Sequence, residues 1–157
     1  MYITGKYLLG SLGDLSDVIA IRDKVFIDEQ GVAPELEHDG KDNEAIFALA
    51  FEEGNDFKKP VATGRLLFLG DEFKIGRIAT LKEYRGKGYG DFVVRMLIDK
   101  AFTMGAKEIF VDAQVQAVGF YKTIGFREVG DVFEEAGMQH QRMVVEPHTC
   151  TRQCSCH

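Results

Sequence analysis

Short apolar runs of strand length dominate this chain, and a helical rhythm interrupts them at three points. The run YITGKYLL (2–9) predicts a first strand. Leu15, Val18, Ile19, Arg22, Val25 and Phe26 then recur at helical spacing behind Asp14, which predicts a helix from 14 to about 26. The stretch DEQGVAPELEHDGKDNEA has no period and holds Gly31, Pro34 and Gly40. It predicts a long acidic loop, and loops of that length tend to carry function. EAIFALAFEE (44–53), VATGRLLFLG (61–70) and FKIGRIATL (73–81) follow as strands joined by short turns, an antiparallel meander by spacing. Val93, Met96, Leu97, Lys100, Ala101 and Met104 restore the i, i+3, i+4 pattern from about Gly90 to Thr103, with Gly105 placed as a cap. A β-rich run at 108–113, a short helix in QAVGFYKTIG, and strands in FREVGDVF and MQHQRMVVE complete the order β-α-loop-β-β-β-α-β-α-β-β. That order predicts one α+β domain over 1–147, with no linker and no internal repeat. The stripes through Phe47, Leu49, Phe51, Leu66, Phe68, Phe110 and Phe126 are expected in its core.

Composition narrows the function classes. A chain of 157 residues suits one domain that buries a core without staples. A net charge of -6 argues against general nucleic-acid binding, while leaving room for a local basic pocket. No apolar run is long enough to span a bilayer, and the first residues lack a signal-peptide pattern, so a cytoplasmic protein with no membrane partner is expected. Cys150, Cys154 and Cys156 all fall in the last eight residues, so no disulfide holds the body of the fold. Their C-x₃-C-x-C-H spacing lacks the paired C-x₂-C usual for zinc. Residues 148–157 are therefore expected to be a disordered tail, and no metal is expected.

The stretch EYRGKGYG (83–90) lies between a strand and a helix. Glycine lets the backbone approach a ligand closely, and the first N–H groups of a helix have no intrahelical partner. The helix dipole adds positive potential at the same place, so such a turn is an anion cradle. Arg85 and Lys87 add charge suited to phosphate. The stretch is not a P-loop, because Gly88 follows Lys87 where Ser or Thr is required. Nor does its G-x-G-x-G have the spacing or context of the dinucleotide fingerprint. A plain glycine-rich turn with two solvated cations is the competing reading.

The wider pattern resembles the GNAT superfamily of N-acetyltransferases. The pieces are Arg85-Gly86-Lys87-Gly88-Tyr89-Gly90, then Ala117 and FYKTIGF (120–126). Upstream, VFIDEQGVAPELEHDGKD is similar to the signature of the ElaA-like branch, and the resemblance spans about 2–146. It implies a mixed, mostly antiparallel central sheet of six to seven strands, with a V-shaped splay between the fourth and fifth strands, at 74–81 and 108–114. It implies acetyl-CoA as co-substrate, with pyrophosphate on the backbone of Arg85, Gly86, Lys87, Gly88, Tyr89 and Gly90. Ile78, Ala79, Thr80 and Leu81 would pair with the pantetheine arm as an extra strand, beside Phe120 and Tyr121. An open strand edge offers the N–H and C=O groups that such pairing needs.

The implied reaction moves an acetyl group by direct attack of a primary amine, on a small molecule or a protein. Tyr121 occupies the family's general-acid position; a core tyrosine with its hydroxyl at the edge is the bland alternative. The base is open among Glu29, Glu37, Asp39, Asp112 and His140, with Glu29 and His140 the catalytic candidates. Glu37 and Asp39 are candidates to hold a cationic substrate, against the plain reading of a solvated acidic loop. Arg65 and Arg77 are expected to pair with that loop. A non-catalytic acyl-CoA sensor of the same fold is the second reading. Either a monomer or a homodimer fits.

Overall fold

A computed structural model of the chain describes residues 1–151. The elements run β1 (Tyr2–Leu9), α1 (Ser16–Arg22), a π-helical segment (Asp23–Glu29), α2 (Pro34–Glu37), β2 (Ile46–Glu53), β3 (Lys58–Leu69), β4 (Glu72–Thr80), α3 (Tyr89–Thr103), β5 (Ile109–Gln114), α4 (Val118–Ile124), β6 (Arg127–Glu128), β7 (Phe133–Glu135) and β8 (Met138–Val145). They form one eight-stranded sheet in the order β1-β2-β3-β4-β5-β8-β6, with β7 also on β8. All pairs are antiparallel except β4 with β5. The sheet exceeds the predicted six to seven strands because FREVGDVF does not form one strand. It turns at Gly130, in the left-handed region at φ 75°, and leaves two short strands on β8.

Alternation along β2 shows how the layers form. Phe47, Leu49 and Phe51 face α1 and pack with Val18, Ile21 and Val25. Ala48 and Ala50 face the other way, into the cluster with Val93 and Leu97 of α3. Small residues on that face let α3 lie close to the sheet. At Gly64 of β3 a Cβ would stand 2.8 Å from Val93 Cγ1 and 2.9 Å from Leu97 Cδ1, so no side chain fits. Of the predicted core aromatics, Phe68 and Phe110 depart: Phe68 is 55% exposed at the outer end of β3, its ring 4.7 Å from that of Phe73, and Phe110 is half-buried on β5 under the Arg142 guanidinium. Residues 148–151, expected in a disordered tail, are docked. Thr151 N–H donates to the Ile124 carbonyl at 2.8 Å, and Arg95 Nη2 donates to Thr151 Oγ1. Residues 152–157, with Cys154 and Cys156, lie outside the described residues.

The predicted acidic loop is pinned by three arginines rather than solvated. Arg22 is fully buried in α1, with Nε 2.9 Å from Glu37 and Nη1 2.8 Å from Asp42. Arg65 of β3 holds Asp39 at 2.8 Å and Asp42 at 3.1 Å. Arg77 of β4 stands 2.9 Å from Glu37. A guanidinium is tolerated out of water only when it is paired in this way.

Removing one partner of a buried pair leaves an uncompensated charge, so Glu37→Ala is expected to cost about 3–5 kcal/mol in urea unfolding. A loss below about 1 kcal/mol would contradict this role. Asp39 adds an acid-sensitive part. Burial alone would raise its carboxyl, but hydrogen bonds from Arg65 and from Lys41 N–H outweigh that and hold it well below the usual carboxylate range. A depressed pKa stabilises the folded state above the unfolded value of about 3.9, and that stability is lost as pH falls below it. Asp39→Asn should therefore lower stability at pH 7 while narrowing the gap between pH 7 and pH 3; an unchanged gap would refute the assignment.

Candidate active site

β4 and β5 share bonds through Phe73–Ile109, Lys74–Phe110 and Ile75–Val111, and no further pair joins them. β4 continues to Thr80 and β5 to Gln114, so the strands part into a V. The cause is visible in β4. Thr63 pairs with Ala79 but Arg65 pairs with Gly76, so Arg77 and Ile78 together oppose Gly64. This is a β-bulge, with Arg77 in the left-handed region at φ 51°. Such a conformation is costly for a non-glycine residue and marks functional sites. The bulge bends β4 away and takes backbone groups at 77–78 out of the ladder. A cleft of about 940 Å³ fills the gap, within the upper range for a small-molecule site.

The glycine stretch forms the cleft's end wall. Gly86 and Gly88 have φ 77° and 90°, and Gly88 caps α3 with no side-chain hydrogen bond. The first N–H groups of this 15-residue helix are left without intrahelical partners, toward the cleft. Nothing lies within 4 Å of a Cβ built on Gly86 or Gly88, so conformation, not crowding, selects glycine there. At Gly90 a Cβ would point between Thr80 Oγ1, at 3.5 Å, and the Phe120 ring, at 3.6 Å. Both are ordinary contact distances, and Thr80, Gly90 and Phe120 all line the cleft. Among the cofactor candidates, Ile78, Ala79, Thr80, Arg85, Gly86, Gly88, Tyr89, Gly90, Phe120 and Tyr121 line the cleft. Leu81 and Lys87 do not: Leu81 N–H is bonded to the Val61 carbonyl at 2.9 Å, and Lys87 Nζ is 3.9 Å from Glu52. The Tyr89 side chain points away as well, its hydroxyl donating to the buried Glu52 carboxylate. Burial, with that contact, pushes the Tyr89 phenol up to about 12. Tyr89 thus tethers the loop to β2, and Glu52 went unnoticed in the sequence although it falls on the buried alternation of Ala48 and Ala50.

Tyr121 stands on α4 at the opposite wall, 6% exposed, with its ring between Phe120 and Phe126. Burial raises its phenol, so it holds its proton at neutral pH. His140 of β8 also lines the cleft, stacked on Phe133 at 5.8 Å. Its Nδ1 lies 2.9 Å from the Met138 carbonyl. A carbonyl can only accept, so Nδ1 carries a hydrogen and donates it there.

The acidic candidates are committed elsewhere. Glu29 is held by both terminal nitrogens of Arg85, at 2.6 and 2.7 Å, and this bidentate contact lowers its carboxyl. Glu37 and Asp39 line the cleft, but arginines occupy them. Asp112 is 2.6 Å from Lys74, and its Oδ1 has no hydrogen-bond partner among the described residues. Val25, Phe26, Val32 and Leu36 give the cleft an apolar wall. Asp23, Glu37 and His38 bring ligand atoms within 4.8 Å of one another, but Arg22 and Arg77 already supply the cations there. No helix among the described residues is long and apolar enough to cross a membrane.

Known proteins share this arrangement. Residues 17–147 match the acetyltransferase (GNAT) domain family. The chain is 35% identical over 131 residues to the Bacillus subtilis protein named uncharacterized N-acetyltransferase YjcF, spanning 83% of this chain and 91% of that one. The crystal structure of Escherichia coli ElaA superposes with a TM-score of 0.78 at 25% identity, covering 91% of this chain and 99% of that one. A GNAT family acetyltransferase from Elizabethkingia anophelis, solved with acetyl-CoA bound, has the same fold, with a TM-score of 0.66 at 17% identity over 92% and 97% of the two chains. With its parted central strands, its glycine turn and this match over most of its length, the chain belongs to the GNAT acetyltransferase family.

Proposed function

We propose that this protein transfers an acetyl group from acetyl-CoA to a primary amine. The observation that carries the reading is the V between β4 and β5, walled by a glycine-rich helix start on one limb and by Tyr121 on the other. The Elizabethkingia neighbour, with acetyl-CoA bound on the same fold, supports it. The cradle at 85–90 would take the pyrophosphate through backbone N–H groups, and the open edge at 78–80 would pair with the pantetheine amides.

The amine arrives mostly as ammonium. With a pKa of about 10.4, deprotonation at pH 7 costs about 4–5 kcal/mol. His140 Nε2 takes that proton, directly or through a water. The neutral nitrogen attacks the thioester carbon, the C–S bond breaks, and the products are an N-substituted acetamide and CoA. Tyr121 gives a proton to the leaving sulfur, and the attacking nitrogen sheds its second proton as the amide forms, which restores the phenol directly or through a water. The dry setting that raises the phenol raises the thiolate's proton affinity as well, which keeps the two matched.

Calorimetric titration with acetyl-CoA, CoA and ATP tests the cradle; binding of both CoA species but not ATP is expected. In a variant shown folded by its melting temperature, Gly90→Val should abolish CoA binding, because its side chain would grow between Thr80 and Phe120 at the cleft wall. Retained binding in that variant, or no binding by the unaltered protein, would sink the reading. In an amine screen, Tyr121→Phe should lower kcat by about 10²–10⁴ while leaving CoA affinity intact. His140→Ala should lose more rate at pH 7 than at pH 9.5, where amines shed their proton unaided. CoA binding with no turnover on any amine would favour the sensor instead.

A further inference from the structure

The π-helical segment Asp23–Glu29 is followed at once by Gln30, and these two consecutive side chains reach opposite limbs of the cleft. Glu29 accepts both terminal nitrogens of Arg85, whose Nε donates to the Thr80 carbonyl at the end of β4, at 3.0 Å. Gln30 Oε1 accepts from Nε2 of Gln114, the last residue of β5, at 3.1 Å. Gln114 is itself steadied by Gln116, 2.7 Å away. β4 and β5 share their last backbone pair at Ile75–Val111, so the Glu29–Gln30 dipeptide rejoins strands that the bulge has separated. The wide coil has a purpose here. Gln30 N–H bonds to the Val25 carbonyl five residues back, and such π turns recur at functional sites.

We propose that Glu29 and Gln30 are positioning residues, a two-point strap across the open ends of β4 and β5 that closes over the thioester arm and keeps water from it. This rests on the proposed function. Glu29 then has no role as base: Arg85 engages both of its oxygens and neutralises it. The strap answers a chemical need. An acetyl thioester open to water is lost by hydrolysis, in which water oxygen bonds to the acyl carbon, the C–S bond breaks and the sulfur takes a proton. Acetate and CoA are the products, and no amine is consumed.

The test compares Glu29→Ala and Gln30→Leu with Gln30→Glu, whose carboxylate can still accept from Gln114 Nε2. Three quantities are read: the dissociation rate of CoA, thiol released from acetyl-CoA without amine, and melting temperature. Glu29→Ala and Gln30→Leu should each speed CoA dissociation by about three- to tenfold, the loss expected for one half-exposed contact. Amine-independent thiol release should rise with it. Gln30→Glu should stay within about twofold of the unaltered protein. Dissociation and thiol release unchanged in all three variants, with CoA bound normally, would overturn the strap alone. A fall in melting temperature with those two rates unchanged would also overturn it. No CoA binding by the unaltered protein would overturn the proposed function and the strap together.

Discussion

The parting of β4 from β5 beyond Ile75 and Val111 is the constraint on which the rest of this structure depends. Backbone N–H and C=O groups inside a fold need partners, and a bulge at Arg77–Ile78 deprives several of them at the middle of the sheet. A domain keeps such a gap only if its surroundings hold it open. Here β2 and β3 hold β4 from one side and β8 holds β5 from the other. The glycine turn starts α3 at the top of the gap, so the helix's unpaired donors and the sheet's unpaired edge meet in one cleft.

The arginines set the other side of that cleft. Arg22, Arg65 and Arg77 bring three charges onto a face otherwise made of Phe47, Leu49 and Leu67. Buried ion pairs of this kind add little over a well-packed apolar core, but losing one partner is costly. Their effect is to leave the segment 34–42 one placement, with Leu36, Glu37 and Asp39 at the cleft and Glu37, Asp39 and Asp42 held by arginines. The carboxylates that look available in the sequence are therefore spent on position, and Tyr121 and His140 line the cleft outside those ion pairs.

Those groups are prepared in complementary states. Burial among aromatic rings keeps a proton on Tyr121. The Met138 carbonyl fixes a hydrogen on His140 Nδ1. Neither arrangement involves a charged partner.

Much of this was legible locally. The period-two runs, the rhythm of α3, the turn at 85–90 and the FYKTIGF stretch are features of adjacent residues, and strand, helix and glycine preferences are read over such distances. The π segment was not, because seven residues of wider coil keep nearly the same apolar rhythm as an α-helix. The division of FREVGDVF depended on how β8 receives it. Least legible were the roles of the acids. Glu29 and Arg85 are 56 positions apart, Glu52 and Tyr89 are 37, and Arg65 and Asp39 are 26. A carboxylate in a sequence can be a base, an anchor or a solvated charge. The sequence determined the order of strands and helices and the glycine turn at 85–90, because these follow from short-range chemistry. Tertiary structure alone decided which charges meet, because ion pairing depends on distance in space and the chain brings remote residues together only when folded.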